Sequence, residues 1–205
     1  MFENKPSEEV VKIVQALSFL IKKSPSSKMS RLKLIKLLWA ADRRHLRRYG
    51  RTVSETRYFA LTHGPVASLA LDIARKSKDY VLTGEEGKFV DKYFDADTEN
   101  TTLLTDPGED YLSETDKEAL SFAWEKFGET DPFILADTIS HMYPEWYRHK
   151  EKLSMQRTSY EIDMLDFFED VNEADDFFDE SSVIVDAAKH TYQENTQLES
   201  LFYGE

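Results

Sequence analysis

The segment from Met29 to Ala67 places the strongest constraint on the fold, because it combines a long amphipathic helix with a turn that starts another element. Its apolar residues recur at steps of three and four, the spacing of one helical face, at Leu34, Leu37, Leu38 and Ala41. Basic residues take the remaining positions, at Lys33, Lys36, Arg43, Arg44, Arg47 and Arg48. The pattern predicts that one face lies in the core and that the other meets solvent or a partner.

Both ends of this helix are marked by local signals. Ser30 is a candidate N-cap, and Met29 and Leu34 are spaced as a hydrophobic staple. Gly50 follows Tyr49 and supplies the left-handed residue that ends a helix. The sequence therefore predicts a helix bounded by Ser30 and Gly50.

The second half of the segment is predicted to form a short extended stretch, a turn and a helix. The extended stretch carries Tyr58, Phe59 and Leu61. Gly64 permits a tight turn, and Pro65 suits the first position of a helix, so a helix is expected from about Pro65 to Ser77.

Further elements are indicated on both sides. Ser7 caps a first helix, residues 88–93 and 101–104 are compatible with a two-stranded hairpin, and Ser113 with Asp116 forms a candidate capping box for a helix that reaches Phe127. Asp131 and Pro132 start another helix, Pro144 breaks it, and residues 182–202 have helical periodicity. Four core positions are expected in the helix after Pro132, namely Phe133, Leu135, Ala136 and Ile139.

These elements predict a mainly α fold, α+β in detail because of the small β-hairpin. Residues 1–157 are expected to form a compact helical domain and residues 158–205 an acidic, aromatic C-terminal helical extension. The extension holds 14 acidic residues and one lysine but keeps several phenylalanines. We expect the first part to keep its core when the chain is truncated at Arg157.

The charge of the chain is split between its two halves. Residues 1–78 contain 17 Lys and Arg and 6 Asp and Glu, whereas the other 127 residues hold the remaining 9 basic and 33 acidic side chains. Two explanations remain open: the acidic half folds over the basic half, or each half attracts a charged partner.

Composition excludes several classes of protein. The chain has no cysteine, so disulfides, thiol catalysis and thiolate metal sites are excluded. It has 205 residues, 13% of them aromatic, and no run of eighteen apolar residues, which is typical of a soluble globular protein without a membrane span. The first residues are polar and do not form a secretory signal, so the cytoplasm is the expected location.

Two blocks carry a resemblance to a known family. KLLWAADRRHLRRYGR is followed by YFALTHGPV, and EALSFAWEKFGETDPFILADTISHMYPEW comes later in the chain. In this order they resemble the Panacea domain of the SocA-like antitoxin family, over roughly residues 10 to 150. The resemblance implies an antitoxin that neutralises a cognate protein toxin by direct binding. The alternative is a prophage-associated or regulatory domain that binds another protein or a nucleic acid and has no toxin partner.

Few residues suggest chemistry. His63 either stabilises the turn or belongs to a partner pocket. His141 and Glu145, with Asp42 and His63, could be imagined as a metal or acid–base cluster, but Pro144 interrupts the helix that such a pair would need. No phosphate loop, nucleophile elbow or dinucleotide fingerprint is present. We therefore expect a binding protein that is not an enzyme and has neither a cofactor nor a metal.

The sequence thus nominates two sets of residues. The candidates for partner contact are Trp39, Arg43, Arg44, Arg47, Arg48, His63, Phe167 and Phe168. The motif positions with a structural role are Gly50, Gly64, Pro65, His141, Pro144, Glu145 and Trp146. A net charge of −13 disfavours nucleic acid as the partner, and self-association is compatible with the sequence.

Overall fold

The computed structural model describes residues 5–76, 84–156, 159–171 and 177–203. Within these ranges the fold is mainly α with some β structure, as the sequence predicts, and the strands lie in two small antiparallel sheets. The helices are α1 (Glu8–Lys22), α2 (Arg31–Tyr49), α3 (Ser68–Ala74), α4 (Glu85–Tyr93), α5 (Glu114–Phe127), α6 (Pro144–Tyr147), α7 (Lys150–Gln156) and α8 (Ser182–Tyr203). A π-helical turn spans Ile134–Ile139, and 3-10 turns span Ser140–Met142 and Met164–Phe168.

The strands form two three-stranded sheets. They are β1 (Lys28–Ser30), β2 (Tyr58–Leu61), β3 (Gly64–Ala67), β4 (Phe94–Ala96), β5 (Asn100–Leu103) and β6 (Tyr160–Glu161). One sheet has the order β1-β5-β4 and the other the order β3-β2-β6. No helix in the described ranges is long and apolar enough to cross a membrane.

Helix α2 lies at the centre of the fold and packs against α1, α5, α8 and β3. Its predicted ends are confirmed. The Ser30 hydroxyl accepts a hydrogen bond from the Lys33 backbone N–H at 3.3 Å, and Gly50 adopts the left-handed conformation with φ 72°. The capping box of α5 is also confirmed, since Ser113 and Asp116 each accept a backbone hydrogen bond from the other.

The hairpin prediction is wrong in its first strand. The chain from Glu85 to Tyr93 is helix α4, in which Phe89 and Tyr93 lie one turn apart with their rings in edge contact. The hairpin joins β4 to β5, and the Asp97 carboxylate accepts hydrogen bonds from the Glu99 and Asn100 backbone N–H groups in its turn.

The helix expected to start at Pro65 is a second correction. Gly64, with φ 97°, ends the turn, and Pro65 pairs with Ala60 in the antiparallel ladder of β2 and β3. Helix α3 begins only at Ser68. The predicted end at Ser77 lies outside the described residues. Pro65 is tolerated here because β3 is an edge strand, where a missing N–H breaks no bond to a further strand.

The segment after Pro132 also differs from the prediction. Asp131 caps it by accepting from the Phe133 and Ile134 N–H groups, and Leu135, Ala136 and Ile139 are buried as expected. Phe133 is not a core residue, because 60% of its surface is exposed. The break at Pro144 is confirmed, since α6 starts there.

The acidic extension packs into the same hydrophobic core as the rest of the chain. Its buried members are Ile162, Phe167, Phe168, Phe178, Val185 and Ala188. Helix α8 lies against α2, and its predicted helical character is confirmed. The proposed boundary at 157 and 158 lies outside the described residues, and it stays a prediction. These contacts indicate that the two parts stabilise each other.

Replacement of Phe167 by alanine should lower the free energy of unfolding by about 3–5 kcal/mol, the usual loss for a large aromatic in a core. Its ring is fully buried and meets the Tyr58 ring edge-on at 5.0 Å. Leu201, 79% exposed on α8, supplies the control, and Leu201→Ala should change stability by less than about 0.5 kcal/mol. Urea unfolding measures both. If Phe167→Ala and Leu201→Ala both change the free energy of unfolding only slightly, the packing of the extension is contradicted.

Candidate functional site

The basic residues of α2 are largely internal. Arg43 and Glu145 form a fully buried ion pair, with Nη1 2.7 Å from Oε2. Trp39 Nε1 donates to the other Glu145 oxygen at 3.0 Å, and the Arg43 guanidinium lies 4.2 Å from the centre of the Tyr143 ring. Burial raises the pKa of Glu145, and Arg43 opposes that shift. This cluster satisfies a charge that would otherwise be costly to bury.

The acidic extension supplies a further acceptor for Arg43 and acidic partners for Arg47 and Arg48. Arg43 donates to the Glu169 carbonyl oxygen at 2.9 Å, and Arg47 forms an ion pair with Asp170 at 2.5 Å. Arg48 lies 3.1 Å from a carboxylate oxygen of Glu180. Of the two explanations for the split charge, internal neutralisation is the one that these contacts display.

The basic face, which was expected to meet solvent or a partner, is largely covered by other segments of the same chain. Four of its residues are buried, namely Lys33, Lys36, Arg43 and Arg47. Arg44 and Arg48 are half-buried, and Arg44 stacks on the Phe122 ring at 4.1 Å. The apolar spacing of α2 does not predict this burial, because the acceptors of the four buried side chains lie 29 to 126 residues further along the chain.

The candidates for partner contact are thus placed in different environments. Trp39, Phe167 and Phe168 are buried, so a partner reaches them only if the extension moves away from the core. His63 is exposed. Contact by any of these residues stays a prediction.

The His63-Gly64-Pro65 turn meets α2 and the segment after the π-helical turn. The Lys36 ammonium donates to the Pro65 carbonyl oxygen at 2.6 Å. A Cβ atom at position 64 would clash with the Ser140 hydroxyl and lie 2.6 Å from Lys36 Nζ. Both the left-handed backbone and this close approach require glycine. The motif therefore brings three distant segments into contact.

Trp146 ties the same turn to α6. Its indole N–H donates to the Leu61 carbonyl oxygen at 2.7 Å, which supplies the partner that a buried tryptophan needs. The His141 ring stacks on Trp146 at a centroid distance of 3.4 Å. Burial lowers the pKa of His141 to about 4, so the ring is neutral at pH 7.

Because no helix starts at Pro65, His63 does not lie at a helix N-terminus. It occupies the turn between β2 and β3, and its Nδ1 atom lies 2.9 Å from Asp137 Oδ1. The exposed Phe133 ring is 6.4 Å away and perpendicular to it. His63 and Phe133 thus form an exposed aromatic pair beside the turn between β2 and β3.

A surface groove with a volume of about 940 Å³ opens beside this pair. Its apolar walls are formed by Leu32, Ile35, Leu61, Val66, Leu71 and Phe133. Arg31, Lys36 and His63 contribute its basic groups, and Glu99 lies on the β4–β5 side. The sequence pattern points to His63 but not to the rest of the groove, because it predicts a core position for Phe133 and a face toward solvent or a partner for Lys36. Pro132 directly before Phe133 was the one signal of a break in the buried pattern.

Lys36 is the unusual group of this groove. Its side chain is 1% exposed, and in the described ranges no carboxylate lies within ion-pair distance of its ammonium. Desolvation lowers its pKa to about 7, while Asp137 and Glu145 oppose the shift from a distance.

The imagined metal cluster is not assembled. Asp42 is buried elsewhere, where it accepts hydrogen bonds from Ser54 and from the Tyr58 hydroxyl at 2.6 Å. Burial raises its pKa to about 6. Among the described residues, no three His, Asp or Glu side chains are close enough together to hold a metal ion.

Comparison with known proteins gives one match. The model of the family described as antitoxin SocA-like, Panacea domain, matches residues 34–147, which run from α2 to the end of α6. No curated protein and no solved structure matches the chain significantly.

Replacement of Lys36 by methionine should stabilise the protein by about 1–3 kcal/mol at pH 6, because it removes a buried charge. The folded-state pKa is lowered to about 7, so between pH 7 and the ordinary lysine range the unfolded chain binds more protons. Wild-type stability should then rise with pH through this window, and the advantage of Lys36→Met should shrink by pH 9.

Thermal unfolding at pH 6, 7.5 and 9 measures the effect. Lys88→Met is the control, because that side chain is 73% exposed. An advantage of Lys36→Met that grows with pH would contradict the assigned charge state.

Proposed function

This chain belongs to the antitoxin SocA-like family with the Panacea domain, and we propose that it is the antitoxin of a toxin–antitoxin pair. It neutralises its cognate toxin by direct protein–protein contact, in the cytoplasm, and acts by binding rather than by catalysis. The family match over residues 34–147 is the observation that carries this proposal.

The distribution of charge supports a protein partner. Arg43 and Arg47, which could have contacted phosphates, donate instead to groups of the chain's own extension. Nucleic-acid affinity depends on basic side chains that are free to displace counterions. These two arginines are therefore not assigned to the proposed partner surface.

The apolar surface supports the same proposal. Phe133 and Ile134 are adjacent and expose 60% and 51% of their surface beside the groove. Exposed apolar patches next to a concave surface are typical of protein interaction sites, and large aromatics dominate their affinity. The surface lies within the part of the chain that the family model matches.

The direct test is coexpression with each reading frame that flanks this gene. We expect one of these frames to stop growth when expressed alone, and growth to recover when this chain is coexpressed. Phe133→Ser should weaken toxin binding by about 2 kcal/mol, roughly 30-fold, because it removes an aromatic anchor. Calorimetry with the purified toxin measures that change.

Tyr147→Ser is the matched control, because Tyr147 has the same 60% exposure but does not line the groove. If coexpression of the wild-type chain does not restore growth, the antitoxin function is contradicted. Equal losses for Phe133→Ser and Tyr147→Ser would contradict the proposed surface.

A further inference from the structure

We propose that the groove beside His63 and Phe133 binds a segment of the protein partner that carries apolar side chains and one carboxylate, which pairs with Lys36. The inference rests on the proposed function in one respect, namely that the partner is a protein. It adds the chemistry of the segment and the residue that selects it.

The shape of the groove favours a short segment of a protein. A volume of about 940 Å³ lies in the upper range of ligand pockets and is large enough for several side chains. Leu32, Leu61 and Leu71 are only half-buried, so each still has apolar surface for a partner to cover. Phe133 on the rim is the side chain best placed to close over a bound segment.

The floor of the groove favours a carboxylate. Lys36 Nζ has three donor positions, and the described residues provide one acceptor, the Pro65 carbonyl oxygen. The charged and titratable groups around it are Asp137 on the π-helical turn, Glu145 on α6 and His141, and the groove lining adds His63 and Arg31. Asp137 is already 2.9 Å from His63, and Glu145 binds Arg43. An incoming carboxylate would give the buried ammonium the counterion that it lacks.

The same geometry sets a pH dependence. A carboxylate in the groove favours protonated Lys36, so the pKa of this group rises on binding from its free value of about 7. The contribution of the ion pair is complete below pH 7 and is lost as the pH rises through the pKa of the complex. A segment with a neutral amide in place of the carboxylate should show no such loss.

The test uses a phage-displayed library of random twelve-residue peptides, selected on the full-length chain and counter-selected on Lys36→Met. We expect the recovered peptides to combine leucine, isoleucine or phenylalanine with one aspartate or glutamate. Each recovered peptide is then synthesised with that acid and with the matching amide. Fluorescence anisotropy at pH 6 and pH 9 measures their dissociation constants.

The acidic peptide should bind the wild-type chain at least tenfold more tightly at pH 6 than at pH 9. The amide peptide should bind at least tenfold more weakly at pH 6 and show little pH dependence. On Lys36→Met the two peptides should bind alike. Phe133→Ser should weaken both, and Tyr147→Ser neither.

Three results would overturn the inference. The selection recovers no peptide, or the acid and amide peptides bind the wild-type chain equally well. The third is that the chain forms concentration-dependent dimers in which the end of α8 of a second copy, with Leu201 and Phe202, occupies the groove. No toxin enters these assays. If peptides bind but the wild-type chain does not restore growth, only the antitoxin function is rejected. If the variants Lys36→Met and Phe133→Ser both still restore growth, only the role of the groove is rejected.

Discussion

Burial of the charged side of α2 is the constraint on which the structure depends. A guanidinium stays charged at any pH at which a protein is folded, so Arg43 at the centre must be given acceptors. Glu145 and the Glu169 carbonyl supply them, from 102 and 126 residues further along the chain. One helix therefore determines where the 140–146 segment and the acidic extension dock, and the extension becomes part of the core.

Local signals explain what the sequence predicted well. The ends of α1, α2 and α5 are set by side chains that bond their own helix, such as Ser7, Ser30 and Ser113, so they can be read without knowledge of the fold. Pro65 could not be read in this way. Its preference for a first helical turn is outweighed by pairing with Ala60, and β-pairing depends on a neighbouring strand rather than on the residue itself.

The site was less predictable for the same physical reason. Lysine is almost never fully buried, so the pattern places Lys36 on the face toward solvent or a partner. A phenylalanine at helical spacing is usually a core residue, so the pattern places Phe133 in the interior. For Lys36 a tertiary contact decides the environment, since its buried ammonium donates to the Pro65 carbonyl oxygen. Phe133 follows the local Asp131 cap and is 60% exposed.

Hydrogen exchange measured on the chain alone and in complex with the proposed toxin partner distinguishes binding in the groove from binding to the acidic extension. If the partner occupies the groove, protection should increase at residues 31–36, 61–71 and 132–135, and the exchange of α8 should stay unchanged. Protection confined to residues 159–171 and 177–203, with the groove segments unaltered, would show that the partner binds the acidic extension instead and would contradict this account.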